Sequence, residues 1–403
     1  MTDLLLTFSP LELIARTLGA LTLIASLWLL TAYRARVAGV GAAIRRQTAV
    51  PFNPSPKPAP PAVSVVVVAG DHAEALQALL EKVFSQEFAG EMEVIVVNDG
   101  KNDDIKDVVT RLQHTSRRPN LFITFTPPGL RNVSHRKLAL TLGVKAAHHP
   151  VVLVLTEESR LYSTQWLTRM AEPFADPATE VVIGTALPGY KFDRGFGKRY
   201  RSFTHGHDAV CWLSAALRGK PWRAHRANMA FRRQAFFDAG GFNGALNLRE
   251  GDDDIFISKI VRPGNSAVVC AAQAAVRYAH PDSRYQFREE RPCRMFTSRG
   301  LGRPTARFFG FSSAMAWLLV LSAAGSIALG AWLHDWVILS ASGLLLLLTW
   351  VVMSLTWRST LKALRCRRTA FGVLPMMLMR PLTNAFHRMR SRRNRTDYYT
   401  WAS

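Results

Sequence analysis

Three consecutive aspartates, Asp252, Asp253 and Asp254, stand in the stretch "REGDDDIFIS" of a 403-residue chain whose net charge is +22. Adjacent carboxylates repel one another, and folding does not require them to be neighbours. Their crowding raises the pKa of at least one carboxyl, which makes that group a better base near neutral pH. The cluster therefore predicts proton abstraction. The alternative is that the aspartates only cap a helix that begins here.

Further acidic residues stand where predicted strands end. Asp99 closes "VIVVNDG", and Glu157 and Glu158 follow "VVLVL". Each position also has a plainer interpretation, because "NDG" is a common turn and the glutamates are compatible with a solvated loop.

Continuously apolar strands alternate with helices from residue 63 to about residue 160, as in "VSVVVVAG" and "MEVIVVNDG". This pattern predicts a parallel sheet covered on both faces. Ligands of such sheets bind at the carboxyl ends of the strands, so we expect a binding site at residues 70–71, 98–100 and 156–159. After about residue 180 the alternation of strands and helices is lost. We expect this second half of the domain to supply whatever reacts with the ligand that the first half binds.

Three apolar stretches, residues 13–33, 312–333 and 336–357, are long enough to cross a bilayer, which takes about 20 residues. A cleaved signal peptide is the alternative for the first stretch. An anchor is favoured, because no basic region precedes the stretch and no small-residue cleavage site follows it. Since the few polar residues of these stretches offer no pathway, they do not indicate a transporter.

Most of the excess positive charge lies beside these stretches, at residues 34–46, 288–307 and 358–395. Such flanks indicate cytoplasmic loops and contacts with anionic membrane lipids, rather than nucleic-acid binding. We therefore predict an integral protein of a bacterial inner membrane, with its N-terminus outside and its catalytic domain and C-terminus in the cytoplasm.

The expected segments follow the chain in order. They are an N-terminal transmembrane anchor (1–34), a basic and Pro-rich linker (35–62), an α/β domain (63–283), a basic amphipathic membrane-interface segment (284–311), two transmembrane helices (312–333 and 336–357) and a basic cytoplasmic tail (358–403).

Several stretches within residues 60–300 follow one another in the order found in a known enzyme family. They are "VVAGDHAEAL", "LEKVFSQEF", "VIVVNDG", "HRKLALTLG", "RANMAFRRQAFFDAGGF", "GDDD" and "RPCRM". Their arrangement resembles the family-2 glycosyltransferases, and especially membrane-bound members similar to cellulose synthase, hyaluronan synthase and ceramide glucosyltransferase. The resemblance implies a GT-A fold, which is a Rossmann-like nucleotide-binding α/β domain, here with one N-terminal and two C-terminal transmembrane helices.

The resemblance also implies roles for single residues. Asp253 takes the place of the catalytic base, with Asp252 beside it. The residues implied to bind a nucleotide-sugar are Asp71, Asp99, Arg136, Lys137, Asn228, Arg291 and Arg294. Those implied to hold a divalent cation, Mg²⁺ or Mn²⁺, are Glu158 and Glu157. For Arg291 and Arg294, plain lipid contacts remain the alternative.

The implied reaction is the inverting transfer of a sugar from a nucleotide-sugar donor to a lipid-linked or glycan acceptor. Three motifs depart from the family pattern: the opening loop has Asp71 and His72 without the family's Pro and Asn-Glu, "TEES" stands in place of Asp-x-Asp, and Met295 stands in place of a tryptophan. These departures keep an alternative open, namely a non-catalytic, membrane-anchored subunit that binds or assembles with other glycan-synthesis proteins.

Overall fold

The computed structural model describes residues 9–99, 103–115, 118–127, 131–189, 195–278, 284–297, 301, 304–366, 372–393 and 399–401. Their strands are β1 Val63–Ala69, β2 Met92–Asn98, β3 Leu121–Phe125, β4 Val151–Thr156, β5 Ser159–Leu161, β6 Val181–Gly184, β7 Ala186–Pro188, β8 Met229–Arg232, β9 Ser266–Val269 and β10 Val276–Tyr278. Their helices are α1 Pro10–Trp28, α2 Arg34–Ala49, α3 Ala73–Phe84, α4 Asp104–Thr115, α5 His135–Ala146, α6 Trp166–Ala171, α7 Phe196–Ala216, α8 Arg233–Asp238, α9 Ile255–Ile260, α10 Arg284–Thr297, α11 Pro304–Trp332, α12 Trp336–Ala363 and α13 Val373–Arg393.

The chain divides into two compact units. The helical unit contains residues 1–42, 195–207 and 303–386, and the sheet unit contains residues 43–194, 208–302 and 387–403. The second unit holds every residue that the sequence singled out for chemistry.

A seven-stranded sheet in the order β3-β2-β1-β4-β8-β6-β9 forms the centre of the sheet unit. The first four strands are parallel, and Val63 of β1 lies opposite Met92 of β2 and Val151 of β4. The apolar runs predicted this arrangement, because strands covered on both faces need apolar side chains on both sides. β8 then pairs antiparallel with β4 and with β6, which accounts for the lost alternation.

Helix α5, whose first residues are candidate site residues, packs closely on this sheet. A Cβ at Gly143 would lie 2.4 Å from Cγ1 of Val66 and 2.9 Å from Cγ2 of Val97, so only glycine fits there. The Ser134 hydroxyl accepts a hydrogen bond from the Lys137 backbone amide and caps the helix. Both features fix the start of α5, residues 135–137, at the carboxyl ends of β1 and β2.

Among the residues that the structure describes, three helices are long and apolar enough to cross a membrane, namely Pro10–Ala49, Thr305–Trp332 and Trp336–Ala363. Inside the helical unit, Thr22 Oγ1 lies 2.9 Å from Ser322 Oγ, and Ser326 Oγ lies 2.8 Å from Ser342 Oγ. Small hydroxyl residues of this kind let apolar helices approach one another closely. The predicted fold class, an α/β domain with one N-terminal and two C-terminal apolar helices, is confirmed.

Two segments are more helical than the sequence indicated. The first long helix continues past the apolar stretch, through a π-helical turn at Leu29–Tyr33, to Ala49, so the extended proline-rich segment begins only after it. The basic segment after the last apolar helix contains a further helix, Val373–Arg393. Of the expected interface segment 284–311, residues 298–300 and 302–303 lie outside the described residues, and residues 284–297 form α10.

Candidate functional site

The loop that follows β1 is held by one carboxylate from the loop that follows β4. Glu157 is buried and accepts hydrogen bonds from three successive backbone amides: Gly70 at 2.7 Å, Asp71 at 3.2 Å and His72 at 3.3 Å. Charge-assisted hydrogen bonds of this kind are strong. Glu157 therefore shapes the loop of residues 70–72. Its oxygens are engaged by backbone amides rather than directed at a cation.

Glu158 is the neighbouring carboxylate, and its surroundings are different. Its side chain is 31% exposed, and Oε1 lies 3.4 Å from His72 Nε2. Among the residues that the structure describes, no three His, Cys, Asp or Glu side chains are grouped to hold a metal ion. A cation that arrives with a diphosphate needs only one or two protein carboxylates. Glu158 fits that requirement, and Glu157 does not.

Asp99 lies at the carboxyl end of β2, beside the start of α5. Its Oδ1 lies 3.2 Å from Nδ1 of His135, and its backbone amide donates to the Ala69 carbonyl at 2.8 Å. A Cβ at Gly70 would lie 4.0 Å from Asp99 Oδ2 and 3.7 Å from Glu157 Oε1. The three loops at residues 70–72, 98–99 and 156–158 therefore meet at one edge of the sheet, as the strand pattern predicts.

Asp252 lies in a buried cluster of opposite charges. The Arg136 guanidinium contacts both of its oxygens, at 3.0 Å through Nη2 and at 2.8 Å through Nε. Arg226 donates to Glu250 at 3.0 Å and lies 4.0 Å from Asp252. Burial alone would raise the pKa of Asp252, but Arg136 and Arg226 hold that pKa well below its ordinary value. Asp252 is therefore held as an anion whose two oxygens are engaged by Arg136.

Asp253 pairs with a single arginine, Arg223, among the described residues. Arg223 donates to Asp253 Oδ2 from Nη2 at 2.8 Å and from Nε at 3.2 Å. Within the described part of the chain, the second oxygen, Oδ1, accepts no hydrogen bond. Arg223 therefore orients the carboxylate through one of its two oxygens.

Asp254 caps helix α9. It accepts hydrogen bonds from the Ile255 amide at 2.8 Å and from the Thr297 hydroxyl at 2.8 Å. Burial, together with the neighbouring charge of Asp253, raises the pKa of Asp254 to about 6. The capping interpretation is therefore right for Asp254, while its two neighbours carry different partners.

The chain enters the aspartate run through a turn that needs glycine. Gly251 has a φ of +112°, and a Cβ there would lie 2.8 Å from Ile255 Cδ1. The loop that precedes this turn is held by the fully buried Lys137. Its ammonium donates to the carbonyls of Ala245, Leu248 and Glu250, at 2.8, 2.7 and 2.8 Å. Burial lowers the pKa of Lys137 to about 8.

Two of the residues implied to bind the donor, Lys137 and Asn228, have partners within the protein. The three donors of the Lys137 ammonium are engaged by the loop of residues 245–250, so its role in the structure is to hold that loop. Asn228 is fully buried and donates to the carbonyls of Thr185 and Ala274, both at 2.9 Å. It also accepts from Trp166 Nε1 at 2.9 Å. Both side chains therefore have their polar atoms engaged within the protein.

The two arginines of "RPCRM" lie on α10. Arg291 lies 3.5 Å from Asp208, and Arg294 lies 3.2 Å from Glu290. Burial first, and then the positive charge of Arg294, lower the pKa of the buried His225 well below its ordinary value. Each of the two arginines thus has a carboxylate partner, Asp208 for Arg291 and Glu290 for Arg294.

The structure brings in residues that the sequence analysis did not single out. Arg223, Arg226 and Glu250 complete the charge cluster, and His135 pairs with Asp99. The stretch "WRAHRA" gave one signal, because two arginines three residues apart precede the family's Asn-x-Ala-x-Arg stretch. Their partners follow only from the fold.

Comparisons with known proteins agree with this architecture. Residues 64–246 match the model of glycosyl transferase family 2. The O-antigen chain rhamnosyltransferase RfbN of Salmonella typhimurium is 25% identical over 200 residues, which are 49% of this chain and 59% of that protein. The chain thus spans less than two thirds of that relative's length.

A solved structure is similar over nearly the whole chain. It is the mannosyltransferase PcManGT from Pyrobaculum calidifontis, in complex with GDP-Man and Mn²⁺, with a TM-score of 0.50 and 20% sequence identity. The similarity covers 92% of this chain and 99% of that one. At 20% identity this similarity supports the assignment of the fold alone. Residues 64–246 therefore match a glycosyl transferase family 2 domain, and the fold is of the GT-A type.

Proposed function

We propose that this protein is a membrane-bound, inverting glycosyltransferase that transfers a sugar from a nucleotide-sugar donor to a lipid-linked or glycan acceptor. The observation that carries the proposal is Asp253, which is oriented by Arg223 through one oxygen and lies beside a cluster of arginines in a family 2 domain. The rhamnosyltransferase relative and the mannosyltransferase neighbour, by their names, both transfer sugars.

The donor's nucleotide is proposed to bind at the edge where the loops after β1, β2 and β4 meet. Asp99 would accept a hydrogen bond from the base, with His135 holding its carboxylate from the other side. Asp71 belongs to the loop that Glu157 shapes, and its side chain is exposed beside this edge. Ligands of parallel sheets bind at such edges, which supports this placement.

Asp253 is proposed to act as the general base. The acceptor hydroxyl would give its proton to Oδ1 while its oxygen forms a bond to the anomeric carbon. On the opposite side of that carbon the bond to the diphosphate oxygen breaks, and the nucleoside diphosphate leaves with the electron pair. Attack from the opposite side inverts the anomeric configuration, and base catalysis of this kind contributes about 10²- to 10⁴-fold.

The departing diphosphate carries negative charge that needs a cationic partner. Arg136 is 29% exposed while it binds Asp252, so its open side is available to a phosphate. Arg291 and Arg294, which lie on α10, are proposed to contribute further positive charge to the diphosphate site. A divalent cation, held by Glu158 together with the diphosphate, would supply further charge neutralisation when bound.

The three apolar helices support a membrane location, and we propose the bacterial inner membrane with the sheet unit in the cytoplasm and the N-terminus outside. Cytoplasmic placement gives the domain access to nucleotide-sugars, and the membrane gives it access to lipid-linked acceptors. Membrane lipids are therefore expected partners.

The test is sugar transfer into a lipid-extractable product. Purified protein in detergent is incubated with bacterial lipid extract and a panel of radiolabelled nucleotide-sugars, with Asp253→Asn as the inactive control. Incorporation from one donor by the wild type alone supports the proposal. If no donor is used and none binds, the protein is instead the non-catalytic subunit, and partner proteins become the object of the search.

A further inference from the structure

The last described residues of the chain pair with the loop that leads into the aspartate run. The Arg249 amide donates to the Tyr399 carbonyl at 2.9 Å, and the Trp401 amide donates to the Asn247 carbonyl at 2.8 Å. Between them, Leu248 and Thr400 form an antiparallel bridge. Residues 399–401, here called the tail strand, are thus fixed beside Glu250 although about 150 residues separate the two segments along the chain.

Tyr399 anchors the tail strand. Its side chain is only 2% exposed, and its ring stacks on Phe296 with centroids 4.3 Å apart and an interplanar angle of 6°. Phe296 lies on α10, two residues after Arg294. The tail strand is therefore held by a backbone pairing on one side and by a buried aromatic stack on the other.

Trp401 is held in place by this anchoring and yet remains 41% exposed. Its ring centroid is 6.3 Å from that of His135, and the Arg249 guanidinium lies 5.7 Å from the Trp401 centroid. His135 is the partner of Asp99, at 3.2 Å. A large aromatic ring is thus positioned, half open, next to the pair at the end of β2, where it contributes little to the core.

We propose that Trp401 is a binding residue for the donor's nucleobase. The proposal rests on the function proposed above. Asp99 would bind the hydrogen-bonding edge of the base, while the indole of Trp401 would stack on its face. Stacking on an aromatic ring tolerates every base, so Trp401 would contribute affinity and Asp99 would contribute the choice of base. The C-terminal segment is then part of the donor site.

The experiment compares two probes on the full-length protein in detergent. Isothermal titration measures the affinity of the cognate nucleoside diphosphate and of inorganic diphosphate, which has no base. Trp401→Ala is expected to weaken nucleoside diphosphate binding about tenfold or more and to leave inorganic diphosphate binding unchanged. Trp401→Phe, which keeps a ring, is expected to recover most of the loss. Trp332→Ala is the matched control, because Trp332 is 76% exposed and belongs to the helical unit.

Each outcome decides the proposal. A selective loss for the probe that carries a base supports it. Equal affinity of Trp401→Ala and wild type for the nucleoside diphosphate overturns it, as does an equal loss for both probes, which would mean that the tail strand only supports the loop of residues 245–250. If the wild type binds no nucleoside diphosphate at all, the proposed function fails first and this assignment fails with it.

Discussion

Two runs of adjacent acids, residues 157–158 and residues 252–254, show how differently neighbouring carboxylates are used. At the sheet edge, Glu157 is turned inward onto three backbone amides, while Glu158 faces outward beside His72. In the aspartate run every carboxylate is buried, and each has a different partner: Arg136 for Asp252, Arg223 for Asp253 and an amide and a hydroxyl for Asp254.

The difference lies in how the charge is compensated. Backbone amides and a helix start compensate the structural carboxylates, Glu157 and Asp254, and these dipoles shape a loop or a cap. Arginines compensate Asp252 and Asp253, and these full charges are available to orient groups near a substrate. Adjacent acids therefore divide into those that build the site and those that we propose to act in it.

Asp253 is expected to give the largest effect. Asp253→Asn keeps the shape and a contact with Arg223 but cannot accept the acceptor's proton, so the transfer rate should fall about 10²- to 10⁴-fold. Donor affinity, measured by titration, should stay within about threefold of the wild type. A rate that stays near the wild-type value would exclude Asp253 as the base.

Glu157 is expected to affect stability rather than turnover. Glu157→Gln removes the charge that three amides share, and the free energy of unfolding should fall by about 2 kcal/mol. Thermal unfolding in detergent measures the change, and Glu158→Gln serves as the matched control because its carboxylate is partly exposed. Equal melting temperatures for the two variants would contradict the difference that we draw between the two residues.

Asp254 is expected to make stability depend on pH. Its pKa rises from 3.8 to about 6 on folding, so the folded state holds the proton more tightly than the unfolded state. The contribution of Asp254 to the free energy of unfolding is therefore largest at low pH, and it declines as the pH rises from about 4 to about 6. Asp254→Asn should remove this decline and stabilise the protein by about 3 kcal/mol at pH 7.5, with little change at pH 4. If the melting temperatures of the wild type and of Asp254→Asn change equally with pH across this range, the raised pKa of Asp254 is contradicted.

Glu158 is expected to give the smallest effect. Glu158→Gln should reduce the gain in nucleoside diphosphate affinity on adding Mn²⁺ by about fivefold, because a cation shared with the diphosphate would lose its one protein carboxylate. Glu157→Gln should retain that gain. A full Mn²⁺ effect in Glu158→Gln would remove Glu158 as a ligand.

The first half of the fold could be predicted from the sequence, because apolar strands and helices alternate from β1 to β4 and strand ends of a parallel sheet meet at one edge. This predicted that Asp99 and residues 157–158 come together. Neighbours in sequence do not reveal the direction of their side chains, so the inward turn of Glu157 was not predictable.

Pairings across long separations were also beyond the sequence. Arg223 and Asp253 lie 30 residues apart, and their segments meet where the Ala224 amide donates to the Asp253 carbonyl at 2.9 Å. Lys137 looks like an exposed cation at a helix start, yet the loop of residues 245–250 closes over it. The tail strand shows no periodic pattern of its own, and only its partners reveal its place.

The most direct test of the central claim is titration of the full-length protein with a panel of nucleoside diphosphates, with and without Mn²⁺. We expect one base to bind, with affinity that falls in Asp99→Ala and is retained in Asp253→Asn. If no nucleoside diphosphate binds the wild type under either condition, the sheet edge is not a donor site and the proposed sugar transfer is contradicted.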